Sequence, residues 1–247
     1  MTPIVLIPAR MAATRLPGKP LADIGGVPMI VRVIRQAESA GVGPVAVAAG
    51  DPEIVETVHA FGHDAILTDP ALPSGSDRIR AALEMIDPGG RHDTVINLQG
   101  DMPFVTPRVI QACEHLLRGE SACDIATVVA REASPADRTN PDVVKAILTL
   151  GSEEPGGRAL YFTRSTLYGD APVWRHVGIY GYRRDALIRF TEAPPSPLEQ
   201  REKLEQLRAM ELGLSIWAAV VDDAPISVDN PSDLDAARAW AAREHIR

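Results

Sequence analysis

Through the first 130 residues, short aliphatic runs alternate with stretches whose apolar residues recur every three or four positions. This alternation is the strongest constraint on the fold. Strands separated by amphipathic helices pair through crossovers rather than hairpins, which implies βαβ units and a largely parallel sheet. Strands are read at Ile4–Ile7, Val45–Ala48, Ala65–Leu67, Thr94–Leu98 and Ile125–Val129, and helices over Met29–Ala40, Glu53–Phe61 and from an N-cap at Ser74 to Met85. The pattern changes after Ala130. Polar, proline-rich turns precede strands at Val143–Leu148, Ala159–Arg164 and Val177–Tyr182, then a helix over Leu198–Leu212. Leu214–Val220 returns the chain to the main sheet, Ile226–Val228 is a short apolar strand, and Pro231 opens a last helix. The expected architecture is one α/β domain over 1–247 with a mixed, mostly parallel sheet. Residues 1–130 and 213–247 form its core, and 131–212 a smaller inserted α+β lobe.

Within that frame, the segment from Ile7 to Leu21 stands out. The apolar run Ile4–Ile7 stops at Pro8, and a loop of small residues carrying Arg10, Arg15 and Lys19 follows. A buried first strand thus delivers a cationic loop to the carboxyl end of a sheet, where open α/β folds bind ligands. Ala12, Ala13 and Gly18 allow close backbone approach, and the three cations suit a polyphosphate. The loop is not a Walker P-loop, because Gly18-Lys19 runs into Pro20 and lacks the preceding glycine.

The rest of the composition narrows the ligand. A net charge of −8 argues against nucleic acid and anionic membranes as partners, so a polyanion must be met by a local basic cluster such as this loop. Aromatic residues are only 4% of the chain, so the core is aliphatic. No apolar stretch reaches the ~18 residues that span a bilayer, and a soluble, cytoplasmic protein is expected. Cys113 and Cys123 are too few for a disulfide scaffold and read as small buried hydrophobes. His59 and His63 straddle Gly62 near a helix end and make a poor metal pair.

Two acidic segments share one arrangement. Asn97-Leu98-Gln99-Gly100-Asp101-Met102-Pro103 puts Asp101 just past a central strand, and Ile226-Ser227-Val228-Asp229-Asn230-Pro231 puts Asp229 just ahead of a helix. Each alone is also an ordinary turn former or helix cap. Together, two strand-end carboxylates could converge on one hard cation; magnesium needs only one or two carboxylates plus substrate phosphates. Leu72-Pro73-Ser74-Gly75-Ser76-Asp77-Arg78 is a polar helix entrance whose amides suit a base edge or an anion, or a plain capped helix.

Taken together, these segments resemble the sugar nucleotidyltransferases, and in detail the 3-deoxy-manno-octulosonate (Kdo) cytidylyltransferase family. The first loop matches the family's nucleotide-binding loop. Gln99-Gly100-Asp101 and Val228-Asp229-Asn230-Pro231 resemble Gln-Gly-Asp and Val-Asp-Thr-Pro, and Ser74-Gly75-Ser76-Asp77-Arg78 resembles Ser-Gly-Thr-Asp-Arg. Val143-Val144-Lys145, Ala159 to Arg164, Arg175 to Arg183 and Glu205-Gln206-Leu207-Arg208 match family segments in the smaller lobe. The chain departs from the pattern at Met102, where Glu is usual, at Ser76 and Asn230, where Thr is usual, and in a shorter connection between Arg164 and His176.

The resemblance implies a nucleotide-diphospho-sugar transferase fold and the reaction of CTP with Kdo to CMP-Kdo and pyrophosphate, for lipopolysaccharide biosynthesis. It implies catalytic roles for Arg15, Lys19, Asp101 and Asp229, with magnesium on the two aspartates. Pro8, Ala9, Arg10, Arg15, Lys19, Ser74, Gly75, Gln99 and Asp101 would bind the nucleotide. Arg78, Gln99, Arg164, His176, Tyr182, Glu205 and Gln206 would bind the sugar, with Arg164 on its carboxylate. A homodimer through the smaller lobe is expected. Two other readings stay open: a cytidylyltransferase for 8-amino-Kdo or a nonulosonic acid, and a non-catalytic nucleotide-binding regulatory protein.

Overall fold

The computed structural model describes residues 2–12, 15–119, 122–150, 155–222 and 224–243. In chain order its elements are β1 (Pro3–Ala9), β2 (Asp23–Ile24), β3 (Val27–Pro28), α1 (Met29–Ser39), β4 (Val45–Ala49), α2 (Pro52–Ala60), β5 (Ala65–Leu67), α3 (Gly75–Ile86), β6 (Thr94–Asn97) and α4 (Pro107–Gly119). Then come β7 (Ile125–Arg131), β8 (Lys145–Thr149), β9 (Gly156–Thr163), β10 (Trp174–Arg183), α5 (Arg184–Glu192), α6 (Pro197–Glu202), α7 (Gln206–Glu211), β11 (Ile216–Val221) and α8 (Pro231–Arg243). The chain divides into two compact units. The first comprises Thr2–His92, Asn97–Ile110 and Pro225–Arg247, the second Asp93–Ile96 and Gln111–Ala224.

In the first unit β5, β4 and β1 pair in that order, all parallel, with β1 in register from Val5 opposite Val45 to Ala9 opposite Ala49. Every residue of β1 is buried, which is why its sequence reads as a continuous apolar run instead of an alternation. Helix α1 buries Met29, Ile30, Val33, Ile34 and Ala37, a helical stripe. Helix α3 starts as its sequence predicts: the Ser74 hydroxyl accepts from the Asp77 N–H at 3.1 Å. The β2–β3 hairpin turns through Gly25 and Gly26, both in the left-handed region (φ 60° and 81°).

The second unit is mostly antiparallel. Strands run in the order β6, β10, β7, β11, β9, β8, with β7–β11 parallel, and β8 also pairs with β10. The ring β10–β7–β11–β9–β8 therefore closes on itself as a small barrel. The mixed sheet anticipated from the sequence is thus present, its parallel pairing concentrated in the first unit. Gly156 and Gly157 permit the tight approach of strands there, since a Cβ on Gly157 would lie 2.1 Å from the Thr149 carbonyl. Cys113 and Cys123 are both buried thiols, as read from the sequence.

Two expectations are corrected. The helix expected over Leu198–Leu212 is two short helices, α6 and α7, broken at Lys203 in the left-handed conformation (φ 56°). On a continuous helix, Glu199 and Arg208 would sit about 13 Å apart on opposite faces. The break instead lets the Arg208 guanidinium grip both Glu199 oxygens at 2.8 Å. Ile226–Val228 is not a strand: Val228 is buried and donates to Asp101 O at 2.9 Å, with no ladder among the described residues. Helices α4 and α5 were not anticipated. Among the described residues, no helix is long and apolar enough to cross a membrane.

Candidate active site

A cavity of about 340 Å³ opens within the first unit at the carboxyl end of β1. Its cationic wall is the loop after Ala9. The Gly50 N–H donates to Ala9 O at 2.8 Å, and the next turn is pinned by the Met11 N–H donating to Asp51 Oδ2 at 2.7 Å. Gly18, at φ 68°, donates back to Met11 O at 3.3 Å, so the loop closes on itself. A single 3₁₀ turn, Lys19–Leu21, follows with Pro20 buried, which fixes the Lys19 backbone. Ala13 and Thr14 lie outside the described residues.

The acidic wall comes from two distant segments. The Leu98 N–H donates to Leu6 O at 3.1 Å and carries 98–101 past the end of β1. Gly100 allows this approach: a Cβ there would lie 3.1 Å from Pro8 O and 3.3 Å from Ile30 Cδ1. Asp101 O then accepts the Val228 N–H, which brings Asp229 alongside. Asp229 itself does not cap α8. Asn230 Oδ1 accepts from the Asp233 N–H at 3.0 Å, while Asp233 Oδ2 accepts from the Asp229 and Asn230 N–H groups at 2.9 and 3.1 Å, a capping box. The Asp229 carboxylate is thereby left to face the cavity.

The two walls meet at Lys19. Its Nζ donates to Asp101 Oδ2 at 2.8 Å and to Asp229 Oδ1 at 3.4 Å, and Arg15 Nη2 reaches the same Asp229 oxygen at 3.4 Å. Burial pushes the Asp101 carboxyl above the ordinary carboxylate value, with Asp229 adding to the rise and Lys19 opposing it. Two hard carboxylates already converging on one cation fit a magnesium ion that completes its shell with phosphate oxygens and water.

The third side is the entrance to α3. Ser74 donates its hydroxyl proton to Asp77 Oδ2 at 2.6 Å, and Gly75 packs on Pro8, where a Cβ would come within 3.2 Å. Arg78 lines the cavity yet is only 2% exposed. Its Nη1 donates to Thr68 Oγ1 (2.6 Å) and Asp69 O (3.1 Å), and Nη2 to Pro70 O (3.4 Å). Burial first, then the nearby Arg10 cation, lower its affinity for a proton. Arg78 therefore braces the 68–70 turn beneath the cavity.

The cavity gathers eleven of the residues expected to bind or react: Pro8, Ala9, Arg10, Arg15, Lys19, Ser74, Gly75, Arg78, Gln99, Asp101 and Asp229. It adds apolar walls from Leu16, Pro20 and Leu72, residues without a chemical signature in the sequence. Asp51 was also missed. Placed just before Pro52, it reads as a cap for α2, but its carboxylate anchors Met11 instead.

Arg164, His176, Tyr182, Glu205 and Gln206 belong to the second unit. Arg164, just after β9, donates from Nη1 to Pro141 O at 2.9 Å. His176 on β10 lies 3.0 Å from Thr127 Oγ1 through Nε2, and burial lowers its pKa to about 4, so the ring is neutral at physiological pH. Its ring is followed by those of Tyr180 (5.3 Å between centroids) and Tyr182 (a further 5.9 Å). At the head of α7, Glu205 accepts from Arg208 at 3.3 Å, and the buried Gln206 Nε2 makes no hydrogen bond among the described residues.

A family model of cytidylyltransferases matches residues 4–216. The chain belongs to the cytidylyltransferase family. This cytidylyltransferase is 54% identical to the 3-deoxy-manno-octulosonate cytidylyltransferase of Parvibaculum lavamentivorans, covering 99% of this chain and 94% of the relative. It is 52% identical to that of Rhodospirillum rubrum, covering 96% and 94%. Among solved structures, it superposes on CMP:2-keto-3-deoxy-manno-octonic acid synthetase complexed with CTP with a TM-score of 0.90 at 38% identity, over 99% of this chain and 100% of the other. A 4-diphosphocytidyl-2C-methyl-D-erythritol synthase from Anaerococcus prevotii shares the fold of this cytidylyltransferase at a TM-score of 0.66 and 10% identity, over 98% and 99%.

Proposed function

We propose that the protein transfers the cytidylyl group of CTP to Kdo, giving CMP-Kdo and pyrophosphate, as a step of lipopolysaccharide biosynthesis. The observation that carries this reading is the cavity itself: Arg10, Arg15 and Lys19 line it together with Asp101 and Asp229, in a chain more than half identical to Kdo cytidylyltransferases.

In the proposed reaction the anomeric hydroxyl oxygen of Kdo bonds to the α-phosphorus as the bond from that phosphorus to the bridging oxygen breaks. Pyrophosphate leaves with the bond's electron pair, and the hydroxyl proton passes to solvent. Such chemistry asks mainly for alignment and charge neutralisation. Arg10, Arg15 and Lys19 would neutralise the departing pyrophosphate. Asp101 and Asp229 would hold magnesium, which when bound lowers the pKa of a coordinated hydroxyl and neutralises phosphate charge. Ser74, Gly75 and Gln99 would orient the nucleotide. Arg164 would pair with the sugar carboxylate, while His176, Tyr182, Glu205 and Gln206, whose Nε2 has no partner among the described residues, would meet sugar hydroxyls. His176, held neutral, suits hydrogen bonding to a hydroxyl rather than proton transfer. With Arg78 tied to backbone carbonyls, its part is to hold the turn under the base-binding side. We further propose a cytoplasmic homodimer that works through small-molecule substrates alone.

The test is pyrophosphate release with CTP and magnesium across a panel of keto-sugar acids. Kdo should be used well, N-acetylneuraminate poorly and neutral sugar 1-phosphates not at all. A pocket that hydrogen-bonds hydroxyls rejects analogues that leave its polar groups unpaired. Preference for N-acetylneuraminate, or use of 8-amino-Kdo to the exclusion of Kdo, would overturn the substrate. No release with any acid would leave a nucleotide-binding protein without this activity.

A further inference from the structure

We propose that Lys19 is the resident cation of the Asp101–Asp229 pair. On this view the pair takes up a divalent ion only when a nucleoside triphosphate draws the ammonium away. The inference rests on the reading above, in which the two aspartates hold the metal.

Three observations carry it. The first is position. One ammonium donates to both carboxylates, at 2.8 and 3.4 Å, and so occupies the space a shared ion would need. The second is shelter. Lys19 and Asp101 side chains are only 19% and 21% exposed, so little solvent is left to balance the Asp101 charge. A half-buried anion of this kind requires a cation beside it even when no ligand is bound. Arg15 is a weak substitute: among the described residues it reaches Asp229 alone, at 3.4 Å, and it is 70% exposed to screening solvent.

The third is the mobility available to the side chain. Gly18 and the 3₁₀ turn fix the Lys19 backbone, while the rotatable bonds of its four-carbon stem let the ammonium be re-aimed about that anchor. A triphosphate in the cavity offers the ammonium a more highly charged acceptor. Once the ammonium leaves, the carboxylates face an empty position suited to a hard divalent ion. While it stays, a second cation at the same oxygens meets direct repulsion. Metal and nucleotide affinities are thereby coupled through one side chain, and the coupling is reciprocal.

The experiment measures Mn²⁺ binding to the nucleotide-free, full-length protein from the magnetic-resonance signal of the free ion, and CTP binding in the presence of a chelator by calorimetry. Lys19→Met should bind Mn²⁺ alone at least ~10-fold more tightly than the wild type and metal-free CTP at least ~10-fold more weakly, the scale of one charge-assisted contact. Lys19→Arg should keep the weak Mn²⁺ binding of the wild type. Lys19→Gln, which retains polarity without charge, should repeat the gain and serves if the Met variant does not fold. The added affinity should vanish in Asp101→Asn/Lys19→Met, which locates the ion. A folded Lys19→Met or Lys19→Gln protein with unchanged or weaker Mn²⁺ binding would overturn the proposal. Activity is read separately. A wild type active on Kdo whose Lys19 variants gain no metal affinity refutes this coupling alone. One inactive on every sugar acid whose variants do gain it refutes the reaction alone.

Discussion

The second unit and the cavity of the first use charge in opposite ways. In the second unit, charged side chains are knotted. Arg208 grips Glu199 with two 2.8 Å contacts, donates to the Phe190 and Ala193 carbonyls and lies over the Phe190 ring. Fully buried Lys145 donates to Asn140 O and Arg164 O, and Arg138 ties Glu132 to the Gly169 and Ala171 carbonyls. In the first unit, Arg15, Lys19, Asp101 and Asp229 share partners loosely in a half-sheltered cavity, and Arg10 is exposed on its wall. Charges with several short, backbone-directed bonds hold shape. Charges with alternative partners at longer range can exchange them for a ligand.

The sharpest way to break this contrast is Arg208→Met. Removing one partner of a buried, bidentate pair strands the other, so a loss of about 3–5 kcal/mol is expected in urea unfolding. The KM for CTP should stay unchanged in what remains folded. A loss below ~1 kcal/mol would show that the knot holds nothing.

Asp101→Asn should do the reverse. Turnover should fall at least ~100-fold, about 2.7 kcal/mol of transition-state stabilisation. The melting temperature should hold or rise, because burial disfavours the charge being removed. Wild-type turnover in this variant would take Asp101 out of the site.

His176 offers a pH test on the structural side. Its imidazole titrates near 6.5 when the chain is unfolded and near 4 when folded, because burial disfavours the cation. Between those values the unfolded chain binds the extra proton. Stability tied to the neutral ring is therefore complete above pH 6.5 and declines as pH falls to about 4, by about 3 kcal/mol. His176→Gln should flatten that slope in urea titrations at pH 5 and 7, and an unaltered slope would assign it to other groups.

The smallest stability change belongs to Arg15→Gln. An exposed pair at 3.4 Å contributes within about 0.5 kcal/mol, so the melting temperature should not move while the KM for CTP rises severalfold. A clear drop in melting temperature with unchanged KM would place Arg15 among the structural charges.

The first unit was the more legible in the sequence. Buried parallel strands, a Ser N-cap and a small-residue loop each carry local signatures, and β1, α3 and the cationic loop all formed where those signatures stood. The Gly25-Gly26 hairpin carried one as well and went unread. The second unit was harder because its decisive features are long-range. Nothing local around Lys203 announces a left-handed break; it is set by Arg208 folding back onto Glu199. Closure of β8 on β10 likewise depends on pairing between distant strands. Within the cavity, type and position of the charged residues were readable, but the capping box that leaves Asp229 facing inward needed Asn230 and Asp233 in three dimensions.

The backbone hydrogen bond from Val228 to Asp101 also sets a timetable. Counting along the chain from Lys19, Asp101 lies 82 residues on and Asp229 lies 210. Translation adds ~5–20 residues per second, so the ribosome finishes the first carboxylate roughly 6–25 s before the second. During that interval the emerging polypeptide already carries the basic loop and one acid, yet lacks the segment that completes the acidic wall. The acidic wall is therefore complete only late in synthesis, after the strands and helices of the barrel unit have been made.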